Sequence, residues 1–174
     1  MLSKLFKIFS IFVIIFSFNI SIADTPYYLD FKYVLNQSTA GKKAQETLKK
    51  KLDQGIKKIS TTEKSLLEEE KKIIQQKKLI KPEEYKKKVE ELRSKVSKLQ
   101  KERNTLLQNI AKQRGNAKKD LLKNLNPILE NYMKEKNIIM IIDKKNLLLA
   151  DKKLDITKEI TDILNQKLKS VKLD

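Results

Sequence analysis

Leu52, Ile59, Leu66, Ile73 and Ile80 recur at intervals of seven residues, and no proline interrupts the stretch from Ala40 to Lys78 that holds most of them. Only a long α-helix places such residues along one line of its surface. The positions three residues further on are Gly55, Thr62, Glu69 and Gln76, so the second core row of an ordinary coiled coil is not apolar. This helix is therefore expected to lean on one neighbour through a narrow stripe and to leave most of its circumference wet. At 1.5 Å per residue it would extend about 60 Å.

The neighbour follows in the chain. Leu79-Ile80-Lys81-Pro82 breaks the first pattern; Pro82 suits the first turn of a new helix, and Glu83 and Glu84 complement the positive end of its dipole. Beyond it, Tyr85, Leu92, Leu99 and Leu106 fall in one register and Val89, Val96 and Ile110 in another, with Arg103 as the polar intruder. Two such helices joined by a tight turn should run antiparallel as a hairpin with its tip near residues 79–82. The apolar register resumes at Ala117, Leu121, Leu125, Ile128 and Tyr132. Gly55 and Gly115 are expected to be soft spots, since glycine costs about 1 kcal/mol relative to alanine inside a helix. Pro127 lacks an amide and disfavours the helical region at Asn126, so a kink or short break is expected there.

The two ends of the chain change character. Tyr27 to Phe31 follows Pro26 and reads as a short strand, and Ser38 or Thr39 can cap the long helix. Ile138 to Ile142 is apolar without alternation, the pattern of a strand covered on both faces. Asn146 to Ala150 reads as a second strand after the turn Asp143-Lys144-Lys145, and Asp155 as the cap of an amphipathic helix through Ile156, Ile160, Ile163, Leu164 and Leu168. The expected fold is mainly α with a small β body (α+β). Residues 24–38 and 137–174 build that body from both chain ends, and residues 39–136 project from it as a long helical hairpin. A pair of helices buries little surface alone, so several copies should associate through the body. Leu29, Phe31, Ile139, Met140, Ile141 and Ile142 are the residues expected at that contact.

Residues 1–23 fit a secretory signal. Lys4 and Lys7 form a positive head, Ile8 to Ile20 is almost unbroken apolar sequence, and Ser21-Ile22-Ala23 offers small residues where a signal peptidase cuts. An uncleaved anchor is the competing reading, but a span needs roughly 20 consecutive apolar residues. The mature chain is expected to be a soluble, exported protein.

The chain has no cysteine and no histidine. Stability must then come from packing or assembly rather than disulfides, and the commonest zinc ligands, the Cys and His nucleophiles and the usual neutral-pH general base are all missing. No catalytic residue, cofactor or metal site is assigned. Thr39-Ala40-Gly41-Lys42-Lys43 lacks both the upstream glycine and the following Ser or Thr of a phosphate loop. Asp30, Asp143, Asp151 and Asp155 stand at expected strand ends and caps, where a structural role is the simpler account.

Lys and Arg number 39 against 22 acids; cleavage after Ala23 removes Lys4 and Lys7 and leaves a net charge of +15. Lys77, Lys78, Lys81, Lys86, Lys87 and Lys88 surround the hairpin tip. A solvated helix surface is the plain account of this row; long-range attraction of anionic partners is the functional one. Nucleic acid is excluded as a partner by the expected export and by the scarcity of arginine for base contacts. Acidic proteins and anionic lipid head groups remain.

Tyr28 to Gln45, Asn126-Pro127-Ile128, Lys134 to Asp143 and Asp155-Ile156-Thr157 together resemble the two ends of the OmpH/Skp family, the periplasmic chaperones of outer-membrane proteins. The resemblance spans the mature chain, with specific residues at both ends and only helical character between them. It implies a homotrimer whose intersubunit β body carries three helical tentacles around a cavity. It also implies an ATP-independent holdase for unfolded outer-membrane β-barrel precursors. Tyr27 and Tyr28 are bulkier than the family's usual first-strand residues, the tip follows no family motif, and a lipopolysaccharide-binding cluster cannot be aligned. The alternatives are an exported coiled-coil envelope scaffold and a basic membrane-surface protein. A plain scaffold does not need its two ends to fold together, and a membrane-surface protein would bind anionic liposomes without any client.

Overall fold

The computed structural model describes residues 25–174; the expected signal peptide lies outside the described residues. The order of elements is β1 (Tyr27–Leu29), α1 (Phe31–Gln37), α2 (Thr39–Gln76), α3 (Pro82–Lys136), β2 (Ile141–Asp143) and α4 (Thr157–Lys167), with 3-10 turns at Lys144–Asn146 and Lys152–Leu154. α2 and α3 form the hairpin, turning through residues 77–81. With 38 and 55 residues they extend about 57 and 80 Å.

α1 and α2 meet at Ser38, which is fully buried and has an extended backbone. Its hydroxyl accepts from the Gly41 amide at 3.2 Å, meeting one of the first-turn donors that a helix leaves unpaired. Gly41 is required here, because a Cβ would collide with the Leu35 carbonyl oxygen where α1 runs into α2. At the tip, Pro82 opens α3 with Glu83 and Glu84 in its first turn, as the dipole favours. At the far end Asn137 takes the left-handed conformation, φ 52°, and its amide donates to the Met133 carbonyl.

That left-handed turn sends the chain back beside β1. β1 and β2 pair in parallel, with Tyr27 opposite Ile141 and Leu29 opposite Asp143. The two chain ends therefore do fold together, and the core lies where they meet the base of α3. Leu29, Val34, Leu121, Leu125, Ile128, Tyr132, Ile138, Ile156, Ile160 and Leu164 form one buried cluster.

Four sequence expectations are corrected. Asn146 to Ala150 is not a strand: Asp143 Oδ1 accepts from the Lys145 amide and winds the chain into a 3-10 turn, and among the described residues no strand lies beside residues 147–150. The strand expected at Ile138–Ile142 forms later, at Ile141–Asp143; within one chain it is not covered on both faces, since Ile139 and Met140 are exposed. Phe31 opens α1 instead of ending β1, because Asp30 caps that helix by accepting from the Tyr33 amide at 2.8 Å. Pro127 makes no break. It sits on the exposed side of α3 while Leu125, Ile128 and Tyr132 are buried around it, and that burial holds the helix through the missing amide bond.

Candidate functional site

Two surfaces can carry function: the edge of the body and the outside of the hairpin. The body edge begins with the short sheet. The Tyr27 amide donates to the Met140 carbonyl at 3.1 Å, and the Ile156 amide to the Tyr28 carbonyl at 3.0 Å, so β1 is held between the two C-terminal segments. Beside it, Asp30 accepts from Tyr33 and its amide donates to Thr157 Oγ1 at 2.8 Å, tying the start of α1 to the start of α4 over 127 residues of sequence. Lys144 Nζ stands 4.0 Å from Asp30 and 3.8 Å from Asp155.

Asp143, Asp151 and Asp155 each accept from an amide two residues on, at 3.2, 3.0 and 2.9 Å. With Asp30 they are turn and cap residues, and their geometry assigns them to local backbone rather than to a shared site. Asp155 lies one residue before the α4 cap position, which Ile156 occupies, yet still satisfies the Thr157 amide. Among the described residues no cluster of His, Cys, Asp or Glu could hold a metal ion. No described helix is long and apolar enough to cross a membrane.

Between α3 and α4 the Tyr132 hydroxyl donates to a Glu159 carboxylate oxygen in a short hydrogen bond. Burial of the phenol, and then the adjacent Glu159 charge, push the Tyr132 hydroxyl well above its ordinary range. The contact clamps the terminal helix onto the body.

The residues expected at a contact between copies fall into two groups. Leu29 is 4% exposed and Phe31 packs against the same core, so both serve their own chain. Ile141 and Ile142 are half-buried, whereas Ile139 and Met140 face solvent at 62% and 51%. The sequence reading missed Leu148 and Leu149, whose side chains stand fully in solvent between the two 3-10 turns. A signal was available: Leu147-Leu148-Leu149-Ala150 is apolar between two Asp-Lys-Lys turns.

At the hairpin tip, Lys77, Lys78, Lys81, Lys86 and Lys87 are exposed and Lys88 is half-buried, 3.9 Å from Glu84. Lys77 Nζ lies 5.9 Å from the centre of the Tyr85 ring, a cation–π distance that closes the turn. Leu79 stands out of this basic surface at 82% exposure.

A small two-stranded body formed by both chain ends, with one long helical hairpin projecting from it, defines an α+β tentacle protein. The profile of the family described as outer membrane protein (OmpH-like) matches residues 27–164, and the chain belongs to that family. Among solved structures, the chain is similar to an OmpH-like protein of Caulobacter crescentus CB15, described as a proposed outer membrane chaperone and determined at 2.83 Å. The TM-score is 0.78 at 18% identity, over 86% of this chain and 90% of that one. At that identity the likeness establishes the shared fold. No curated protein sequence matches the chain.

Proposed function

We propose that this chain is an ATP-independent periplasmic holdase that assembles as a homotrimer through its body and holds unfolded outer-membrane β-barrel precursors in the cavity between three hairpins. The observation that carries this reading is the uncovered body edge. A two-stranded sheet is marginal alone, yet Ile139, Met140, Leu148 and Leu149 leave apolar surface beside it. Copies of the same chain would cover that edge, with Ile141 and Ile142 alongside, and would set several hairpins next to one another. Family membership supports the same reading. No bond is made or broken: the client is held by many weak contacts, which add through avidity, and leaves when its own folding in the outer membrane is the stronger sink.

The test is dilution of a urea-unfolded outer-membrane barrel into the chain from Asp24 onward, without nucleotide, with light scattering for complex mass. A soluble complex of three chains and one client is expected. Client aggregation beside an intact helical oligomer would overturn the holdase and favour an envelope scaffold. A second reading, attraction of the tip to anionic lipid or lipopolysaccharide, rests on Leu79 exposed among Lys77, Lys78 and Lys81. Flotation with anionic vesicles and no client would establish it; failure to float would remove it.

A further inference from the structure

The two broad faces of the hairpin differ. On α2 the covered stripe Leu52, Ile59, Leu66, Ile73 marks the side turned to α3, and on α3 the half-buried Tyr85, Leu92, Leu99, Leu106 mark the side turned to α2. Each residue advances about 100° around a helix. Ile56 comes four residues after a stripe position, and Leu67 and Ile74 come one residue after; Val89 and Val96 come four after, and Leu107 one after. In an antiparallel pair, equal offsets from the seam lie on the same face, because reversing the helix and facing the partner each invert the sense once.

Two ion pairs agree with this assignment. Arg103 and Glu63, both four after a stripe residue, meet at 3.3 Å on this face. Lys95 and Glu69, both three after, meet at 2.6 Å across the other.

The apolar residues also match in level. The stagger that sets Lys51 against Gln113 and Glu69 against Lys95 puts Ile56 beside Leu107, Leu67 beside Val96 and Ile74 beside Val89, within a residue. Five of the six are 50 to 59% exposed and Val89 is half-buried. Lone exposed apolar residues are ordinary, but three paired rungs on one face are not scattered. At the mirror offset, six residues after the stripe, the other face carries Lys58, Ser65 and Lys72 on α2 and Lys98, Thr105 and Lys112 on α3. It also holds a shallow open hollow beside Gly55, rimmed by Lys58, Lys98 and Lys101.

Charge frames the rungs. Lys57, Lys64 and Lys71 run at heptad spacing along the α2 margin, followed by Lys78 in the turn, with Lys71 engaged by Glu68 at 2.8 Å. At the rung offsets themselves stand Arg93, Arg103 and Arg114 on α3 and Asp53, Glu63 and Glu70 on α2, so the uninterrupted basic row is the α2 margin. From Ile56 to Ile74 the rungs cover about 27 Å, the reach of about eight residues of extended chain. That approaches the 9–11 residues of a membrane-spanning β-strand, which alternates apolar and polar side chains.

We propose that the face bearing Ile56, Leu67, Ile74, Val89, Val96 and Leu107 is the client-binding face, and that each hairpin takes one extended strand segment of an unfolded outer-membrane protein, its apolar residues on the rungs and acidic neighbours toward the basic α2 margin. The inference rests on the holdase reading and adds to it which side of the hairpin is turned to the client.

The test uses the full mature assembly and a urea-unfolded eight-stranded outer-membrane barrel. A photo-reactive benzoylphenylalanine replaces Leu67 or Val96 in one set and Ser65 or Lys98 in the other. Cross-links to the barrel are expected from the first set and at most a tenth as many from the second. The variant I56S/L67S/I74S should bind the barrel at least tenfold more weakly, and K58S/K72S/K98S less than twofold. Equal cross-linking from both sets, or I56S/L67S/I74S binding as wild type does, would overturn the face assignment while leaving the holdase standing. Cross-linking of position 67 to a second copy of the chain, unchanged by client, would make the face an interface between copies and also overturn it. Failure of the wild-type chain to hold the barrel at all would instead sink the holdase reading.

Discussion

In the body, Val34, Leu125, Ile160 and Leu164 have no exposed surface and pack into one cluster drawn from four elements and the segments beside them; in the distal hairpin the covered residues are Ile59, Leu66 and Ile73, each 6 to 9% exposed. The distal seam alternates these with half-buried Gly55, Thr62, Glu69 and Gln76. A body of the first kind is stabilised by apolar burial. A hairpin of the second kind buries fewer apolar side chains and adds exposed ion pairs, which contribute about 0–1 kcal/mol each. One chain thus joins a firm base to walls of low local stability, the end of the range from which binding elements are drawn.

The sharpest way to break this contrast is to remove equal side chains from the two regions. Leu125→Ala should cost about 3–5 kcal/mol and abolish cooperative unfolding of the body, because its site is closed on all sides. Leu66→Ala should cost about 2 kcal/mol or less, since the open seam beside Glu69 can relax around the deletion. Urea unfolding followed by circular dichroism checks both; equal losses would mean the hairpin is as tightly packed as the body.

The next effect is chemical. Tyr132→Phe removes the hydroxyl that donates to Glu159, a bond to a charged but exposed acceptor, at a cost of about 1–2 kcal/mol at neutral pH. Its pH dependence has a definite sign. The folded phenol titrates above its ordinary value of 10.0, so its contribution is fully present below about pH 10 and falls as pH rises above that, toward the folded value. Thermal unfolding should show wild type losing its advantage over Tyr132→Phe at alkaline pH. A constant difference up to pH 12 would mean that the hydroxyl is not what clamps α4.

How much of this was legible in the sequence divides along the same line. The seven-residue stripe, Pro82 and the cap at Ser38 or Thr39 are local, and local chemistry placed the ends of α2 and the start of α3 within two residues. The body was less legible because its partners lie far apart: Asp30 bonds Thr157, and β1 bonds Met140 and Ile156. Phe31 looked like strand and began a helix because Asp30 capped it. Ile139, Met140, Leu148 and Leu149 carry an apolar pattern that no described residue covers, so the run Asn146–Ala150 looked like a strand without a partner among the described residues to make it one. For the candidate surfaces, the Lys at the tip could be counted from the sequence. The paired rungs could not, because they need the stagger of α2 against α3.

The two hairpin glycines give the smallest and most local version of the contrast. Sequence gave both the same meaning, a point of softness, yet their surroundings differ. A Cβ on Gly115 meets nothing within 4 Å, whereas one on Gly55 would lie 2.5 Å from Leu106 Cδ2 and 3.1 Å from its Cγ. Gly115→Ala should therefore gain the full helix preference, about 1 kcal/mol. Gly55→Ala has the same propensity gain, but Leu106 must leave its place in the seam, an overpacking cost of about 1–3 kcal/mol, so its net effect is zero or destabilising. The hydrogen-exchange protection of the amides around each site reads the difference directly: raised around residue 115 of α3 by Gly115→Ala, unchanged or lowered around residue 55 of α2 by Gly55→Ala. Equal stabilisation by both would show that Gly55 is a flexible joint, and that the Leu106 contact does not set how closely the two helices approach.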